Sequence, residues 1–322
     1  MDYRVADLNL AAFGREQITL AEHQRAADYT LAKGALGRIE AAVGLVVSAL
    51  ILFGGLARLW GLTAPLADSP ILREVALVGL LSAVTGLVGI PFGYYSTFFI
   101  EEKFGFNKTT RATFWLDLVK GTVLSAVLLL PLAALVFWLM RSAGSLWWLY
   151  AWCVFVAFQL LMLAIYPTFI APLFNKFTPL PDGDTKSAIE GLLQRTAFTS
   201  NGLFVMDGSR RSAHGNAYFT GFGAAKRIVF FDTLLTRLSN SEIVAVLAHE
   251  LGHFKRKHIV KRIVFMALAS LAFLATVAWL MPQPWLYTSF AFAADTGATS
   301  PGVALILFSL VLPPLLFWLT PL

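Results

Sequence analysis

Along most of the chain, long uncharged apolar runs alternate with short polar links. A helix needs about 20 apolar residues to cross the hydrocarbon of a bilayer. Six runs qualify: Ala41 to Trp60, Val75 to Ile100, Gly121 to Met140, Leu146 to Ile170, Ile263 to Met281 and Gly302 to Leu319. The fourth sits in a charge-free stretch from Ser142 to Asn175 that contains Tyr166-Pro167 and Ala171-Pro172. Proline removes a helical hydrogen bond and restricts the residue before it, so that helix should kink or end there. Trp60, Trp147, Trp148, Trp152, Trp285 and Trp318 lie near the run ends, where an aromatic belt is expected.

Two polar stretches interrupt the runs. Residues 1–40 predict a cytoplasmic amphipathic segment, helical from Ala21 to Leu36, and contain no signal-peptide pattern. Residues 175–258 form the second stretch, which divides four spans in 41–174 from two in 259–322. Within it the periodicity predicts a helix over Asp184 to Ala197, with Ile189, Leu192 and Leu193 on one face. Strands follow at Leu203 to Asp207, Asn216 to Thr220 and Arg227 to Phe231. Asp207-Gly208-Ser209 reads as a turn and Gly221-Phe222-Gly223 as a loop. Ser239 with Glu242 three residues on forms a capping box ahead of the apolar run Ile243 to Leu247.

Composition agrees with the span pattern. The chain has 322 residues, 57% of them hydrophobic and 14% charged. A soluble enzyme of this size could not hide so much apolar surface. The fold class expected is an all-α polytopic membrane protein with about six spans and a small cytoplasmic α+β insert. The single cysteine, Cys153, excludes an internal disulfide. A net charge of +6 does not point to nucleic acid here; it reflects where Lys and Arg fall. Arg4, Arg15, Arg25, Lys33 and Arg38 precede the first run, and thirteen basic residues fall between Lys176 and Arg262. Only Arg58, Arg73 and Arg141 lie on the other side. The positive-inside rule then places the N-terminus and the insert in the cytoplasm.

The helix after the capping box carries His249-Glu250-Leu251-Gly252-His253, an H-E-x-x-H motif. Side chains four apart share a helix face, so both imidazoles can reach one ion, and zinc suits neutral imidazole. Glu250 is then placed to act as general base on a water. The competing reading is a chance match, roughly a one-in-a-hundred event, with two solvated histidines. The chain holds only five histidines, and the motif falls on a strongly predicted helix after strand-like segments. The longer H-E-x-x-H-x-x-G-x-x-H pattern is excluded, because Arg256 and Ile259 stand where Gly and His are required. No third ligand is visible downstream, since the only acidic residue after Glu250 is Asp295, assigned to the opposite side. Asn216 to Thr220 is the best candidate for a sheet edge on which an extended peptide could pair; the alternative is a purely structural sheet.

Several stretches resemble the integral-membrane type I CAAX prenyl protease family of zinc metallopeptidases. They are Ala21-Glu22-His23-Gln24 through Asp28-Tyr29-Thr30, Ile100-Glu101-Glu102-Lys103-Phe104-Gly105-Phe106-Asn107-Lys108 and Pro172-Leu173-Phe174-Asn175-Lys176-Phe177. Met206-Asp207-Gly208-Ser209, Ser212-Ala213-His214-Gly215-Asn216-Ala217-Tyr218-Phe219-Thr220-Gly221 and Arg227 through Leu235 continue in the same order. The resemblance implies a barrel of seven helices around a water-filled chamber with a gluzincin-like site near its cytoplasmic end. It implies His249 and His253 as ligands of one Zn2+, Glu250 as base, Asn216, Ala217 and Tyr218 as substrate-binding strand, and His214 close by. Gly215 replaces a frequent serine. The family's first span and its C-terminal segment, with a glutamate third ligand, are expected outside this chain, which leaves it at best two of the ligands.

The function expected is a membrane-embedded zinc metalloendopeptidase. Its substrates would be prenylated C-terminal (CAAX-type) or membrane-associated proteins; its other partner is the bilayer, and nucleic acid is not one. The composition favours a bacterial inner membrane over endoplasmic reticulum. Two alternatives are a protease that cleaves within the membrane, against which Lys255-Arg256-Lys257 and Lys261-Arg262 argue, and a catalytically incomplete quality-control or peptide-binding module.

Overall fold

The computed structural model describes residues 8–316 except 197, 199, 221–226 and 256–257; side chains are described from residue 23 on, apart from 220, 250, 253–255, 258–259, 297–298 and 312–316. Helix α1 runs without a break over Leu8–Leu50, so the predicted N-terminal helix and the first span are one element. It ends in a wide turn at Ile51–Gly55, where Gly54 adopts φ 126°. Only glycine takes that angle without strain. Helix α2 (Leu56–Leu62) completes the span. Helix α3 (Pro70–Tyr95) begins with proline in its first turn, where the missing N–H costs nothing, and continues into a wide turn at Ser96–Glu101. Helix α4 covers Arg111–Ser142; the Thr110 hydroxyl caps it by accepting the Thr113 N–H at 3.1 Å. Helix α5 (Trp147–Ile165) gives way to irregular turns at Tyr166–Ile170 and Ala171–Leu173, where the prolines predicted it.

The insert follows with β1 (Phe177–Pro179), α6 (Asp184–Arg195), β2 (Leu203–Met206), β3 (Ala217–Thr220), β4 (Arg227–Phe231), α7 (Asp232–Leu235) and α8 (Asn240–Lys255). Helix α9 (His258–Leu280), the short α10 (Pro284–Thr288) and α11 (Thr296–Thr299), and α12 (Pro301–Leu316) end the described chain. The loop Gly221-Phe222-Gly223, Arg256 and the last residues of the predicted sixth span lie outside the described residues. Five helices among the described residues are long and apolar enough to cross a membrane: His23–Leu62, Pro70–Glu101, Arg111–Ser142, Gly144–Leu173 and Val260–Leu280. The sixth expected span coincides with α12, whose stretch Pro301–Val311 is apolar but short.

Two cores hold the molecule, one at each end of the spans. At the end away from the insert, Leu56, Leu77, Phe137, Val277, Val303 and Leu307 bury against one another. Glu74 is fully buried there. Its carboxylate accepts from the Arg141 guanidinium at 2.7 Å and from the Gly302 N–H at 3.1 Å, which ties α3, α4 and the start of α12 together. A Cβ on Gly302 would lie 2.8 Å from the Glu74 carboxyl carbon and 2.9 Å from the Phe137 ring, so only glycine fits. Between the two ends the spans are little buried: none of the most apolar stretch of Gly144–Leu173 is. Trp152 donates its indole N–H to the Ala267 carbonyl at 2.8 Å and joins α5 to α9.

The second core lies in the insert. Ile189, Ile228, Phe230, Ile243 and Leu247 are at most 1% exposed, each contributing about 1.5–3 kcal/mol by burial. They come from β4, one strand of a four-stranded sheet of order β1-β2-β4-β3, and from α6 and α8, which pack against it. Strands β2 and β4 are parallel with Leu203 opposite Ile228, while β1 and β3 flank them antiparallel. Strand β1 was not anticipated, because three residues ending in Pro179 carry no period; proline is tolerated on an edge strand.

Candidate active site

The site is built on α8. The Ser239 N–H donates to the Glu242 carboxylate at 2.8 Å, the Ser239 hydroxyl donates to it at 2.7 Å, and the Glu242 N–H returns to that hydroxyl at 3.4 Å. The capping box therefore closes as its spacing predicts, and the Ser239 donors hold the Glu242 carboxyl below the usual carboxylate range. From this start α8 continues through Lys255. Ile243, Leu247 and Leu251, one turn apart, are buried in the insert core. Positions 249 and 253 are also one turn apart, about 40° from each other and on the opposite flank from Leu247. His249 is exposed. The side chains of Glu250 and His253 lie outside the described ones, while their backbone is regular helix. Two imidazole positions spaced by one helical turn, on the flank of α8 away from Leu247, suit a divalent metal. Among the described residues, which leave out the side chains of Glu250 and His253, no three His, Cys, Asp or Glu side chains cluster.

Helix α8 lies beside β3, and among the described residues β3 is an edge of the sheet. The Phe231 N–H donates to the Asn216 carbonyl at 2.9 Å, and Ala217 stands opposite Phe230. In an antiparallel ladder the hydrogen-bonded pairs alternate, so Asn216 and Tyr218 turn their main-chain groups toward β4. Ala217 and Phe219 turn theirs to the open edge. The Ala217 N–H is taken by the Asn216 side-chain oxygen at 2.8 Å. Ala217 is buried, Tyr218 half-buried and Asn216 exposed; burial pushes the Tyr218 phenol above its ordinary value.

His214 is fixed by Glu101 and Phe106, and through Glu101 by residues of α1. Its ring stacks on Phe106 with centroids 4.2 Å apart, and its Nε2 lies 3.4 Å from Glu101 Oε2. The other Glu101 oxygen accepts from the Tyr29 hydroxyl at 2.6 Å and from Lys33 Nζ at 3.2 Å. Tyr29 in turn sets its ring edge against Phe104 and Phe106, at 5.3 and 5.1 Å. Main-chain bonds join the same strips, with Ala213 N–H to the Phe106 carbonyl at 2.9 Å and Lys108 N–H to the Arg211 carbonyl at 3.1 Å. Arg211 clamps the Asp117 carboxylate with two hydrogen bonds of 2.8 and 3.0 Å. Glu101 is thus the point where α1, the turn after α3 and the approach to β3 converge. Tyr29 and Glu101 lie in stretches that carry the family resemblance, but the sequence alone assigns them no role. The available signal was an acidic residue closing an apolar run, a costly placement that demands partners.

Gly215 is closely seated: a Cβ there would meet Leu234 at 3.2 Å, so a serine would need α7 to yield by a few tenths of an ångström. Asp232 accepts the Ser209 N–H at 2.8 Å and the Ser209 hydroxyl, while Asp207 accepts the Lys176 N–H at 2.7 Å. These bonds set the turn at Asp207-Gly208-Ser209 where it was expected.

Fold and site together define a polytopic membrane protein whose insert presents an H-E-x-x-H helix beside an edge strand. Residues 8–176 match the family model of the CAAX prenyl protease N-terminal region, described as five membrane helices, and residues 179–322 match peptidase family M48. The chain belongs to the CAAX prenyl protease family. The CAAX prenyl protease 1 homolog of Arabidopsis thaliana is 42% identical over 238 residues, 71% of this chain and 56% of that protein. The homolog of Dictyostelium discoideum is 33% identical over 302 residues, 91% of this chain and 71% of that protein. The crystal structure of S. mikatae Ste24p superposes with a TM-score of 0.81 at 33% identity, covering 89% of this chain and 71% of that one.

Proposed function

We propose that this chain carries the peptide-cleaving site of a membrane-embedded zinc metalloendopeptidase. The observation that carries the reading is the placement of the H-E-x-x-H helix alongside an antiparallel edge strand. His249 and His253 would hold the metal, with further ligation from outside the described residues. Zinc, when bound there, supplies Lewis acidity and lowers the pKa of water. The rest of the chemistry belongs to the chain. A substrate peptide extends the sheet as a further antiparallel strand on β3, through the outward main-chain groups of Phe219 and, once the Asn216 side chain swings aside, of Ala217. That pairing fixes the scissile bond along α8. Glu250 takes the proton from the attacking water and returns it to the leaving amine.

His214, held by Glu101 and Phe106, fixes the start of β3 and so the register of the bound peptide. Two relatives bear the name CAAX prenyl protease, which supports prenylated C-terminal motifs, or other membrane-associated proteins, as substrates. The distribution of Lys and Arg supports a cytoplasmic insert.

The test is cleavage of a farnesylated CAAX peptide by the full chain in vesicles. Glu250→Gln should lower the rate by about 10²–10⁴-fold, the usual worth of a general base, at unchanged metal content. A near-normal rate in that variant would contradict the role given to Glu250.

A further inference from the structure

Beside α1 a groove of about 550 Å³ runs along the wall formed by α3 and the turn that follows it. Ala32, Ala35, Pro91, Tyr95 and Phe99 line it, and Lys103 closes one end. Tyr95 and Phe99 stack with ring centroids 4.9 Å apart and stay exposed, as a lipid-facing wall would. The apolar lining belongs to two membrane-capable helices, His23–Leu62 and Pro70–Glu101, and Lys103 sits two residues past the end of the second. The groove is therefore apolar at hydrocarbon depth and cationic at headgroup depth. From Pro91 to Phe99 the helix rises about 12 Å, against about 15 Å for half the hydrocarbon of a bilayer.

Lys103 differs from the other cations of this corner. Arg25 donates to the Phe104 carbonyl at 2.6 Å, and Lys33 donates to Glu101 and to the Ser96 hydroxyl at 3.2 and 2.8 Å. Glu102, next to Lys103, accepts from Asn107 at 2.7 Å. Lys103 has no ion pair or hydrogen bond among the described residues and rests 5.5 Å from the Phe104 ring.

We infer that the groove between Ala32–Ala35 and Tyr95–Phe99 is a binding site for one anionic phospholipid, its headgroup on Lys103 and one acyl chain along the helices. Charge and depth both select this occupant. A cation at the interface with no ion pair among the described residues attracts an anionic headgroup, and a zwitterionic lipid offers the same chain without the net charge. The occupant would also brace Phe104, the ring that Tyr29 packs against while it holds Glu101. The inference needs only the membrane placement of the two helices, so it stands or falls apart from the peptidase reading.

The experiment is native mass spectrometry of the full chain released from detergent after titration with phosphatidylglycerol or phosphatidylcholine. The wild type should retain one phosphatidylglycerol in preference to phosphatidylcholine. Lys103→Gln should weaken phosphatidylglycerol about fivefold, the worth of one basic residue at an anionic surface, and leave phosphatidylcholine unchanged. Lys103→Arg should restore the preference, and Ala35→Trp, which fills the floor, should weaken both lipids. Should the tryptophan variant lose its helical circular dichroism, the two Lys103 variants decide alone. Equal retention of the two lipids by the wild type, or an unchanged preference in Lys103→Gln, would overturn the site. So would displacement of phosphatidylglycerol by a farnesylated peptide with the same Lys103 dependence, which would give the groove to a substrate tail instead.

Discussion

Two carboxylates at opposite ends of the helical spans put the same chemistry to different use. Glu74 is sealed in the core away from the insert, paired with Arg141 and the first turn of α12. Its second oxygen and the Arg141 Nε have no partner among the described residues. Glu101 stays part-exposed and shares its two oxygens among Tyr29, Lys33 and His214. The first pair links three helices and little else. The second links the helical wall to the strand beside the H-E-x-x-H helix. A buried pair is costly to break because each partner strands the other, whereas a part-exposed hub loses little stability and mostly loses position.

That contrast predicts a graded set of outcomes. Glu74→Ala leaves the Arg141 charge without its partner and should cost about 3–5 kcal/mol, read as a large fall in the thermal midpoint in detergent. A fall no greater than that of the next variant would break the comparison. Glu101→Gln keeps the shape of the hub and removes its charge, and should cost about 1 kcal/mol or less. Its larger effect should be on peptide binding, with KM raised several-fold and kcat nearly unchanged, because it loosens His214 ahead of β3. An equal fall in kcat would place Glu101 in the chemistry itself.

Smaller still is the cap of α8. Ser239→Ala should cost about 1 kcal/mol. Because the Ser239 donors lower the folded pKa of Glu242 below its unfolded value, the contribution is present above the unfolded value and is lost as the pH falls through the folded one. The difference between wild type and Ser239→Ala should therefore narrow below about pH 4. A difference independent of pH would remove Glu242 from the cap.

Much of the fold was legible because each feature had a local cause. Uncharged runs, the prolines after Ile165, the Ser239 and Glu242 spacing and the short apolar run Ile228–Phe231 all act within a few residues, and each lies where expected. The continuous α1 was less legible, since a polar helix and an apolar one join without a breaker near residue 40. The three-residue β1 depends on its partner β2 for its existence. The candidate site divides the same way. The helical spacing of His249 and His253 follows from sequence alone, but the grip on His214 does not. Tyr29, Glu101 and His214 are separated by 72 and 113 residues and meet only through the tertiary fold.

The central claim is that one divalent metal is held between positions 249 and 253 of α8. Metal analysis of the full chain, purified after growth with zinc, tests it most directly beside His249→Ala, His253→Ala and Glu250→Gln. The account predicts about one equivalent of zinc in the wild type and in Glu250→Gln, and near-empty preparations of both histidine variants. Full zinc loading of either histidine variant, with its helical content intact, would contradict it.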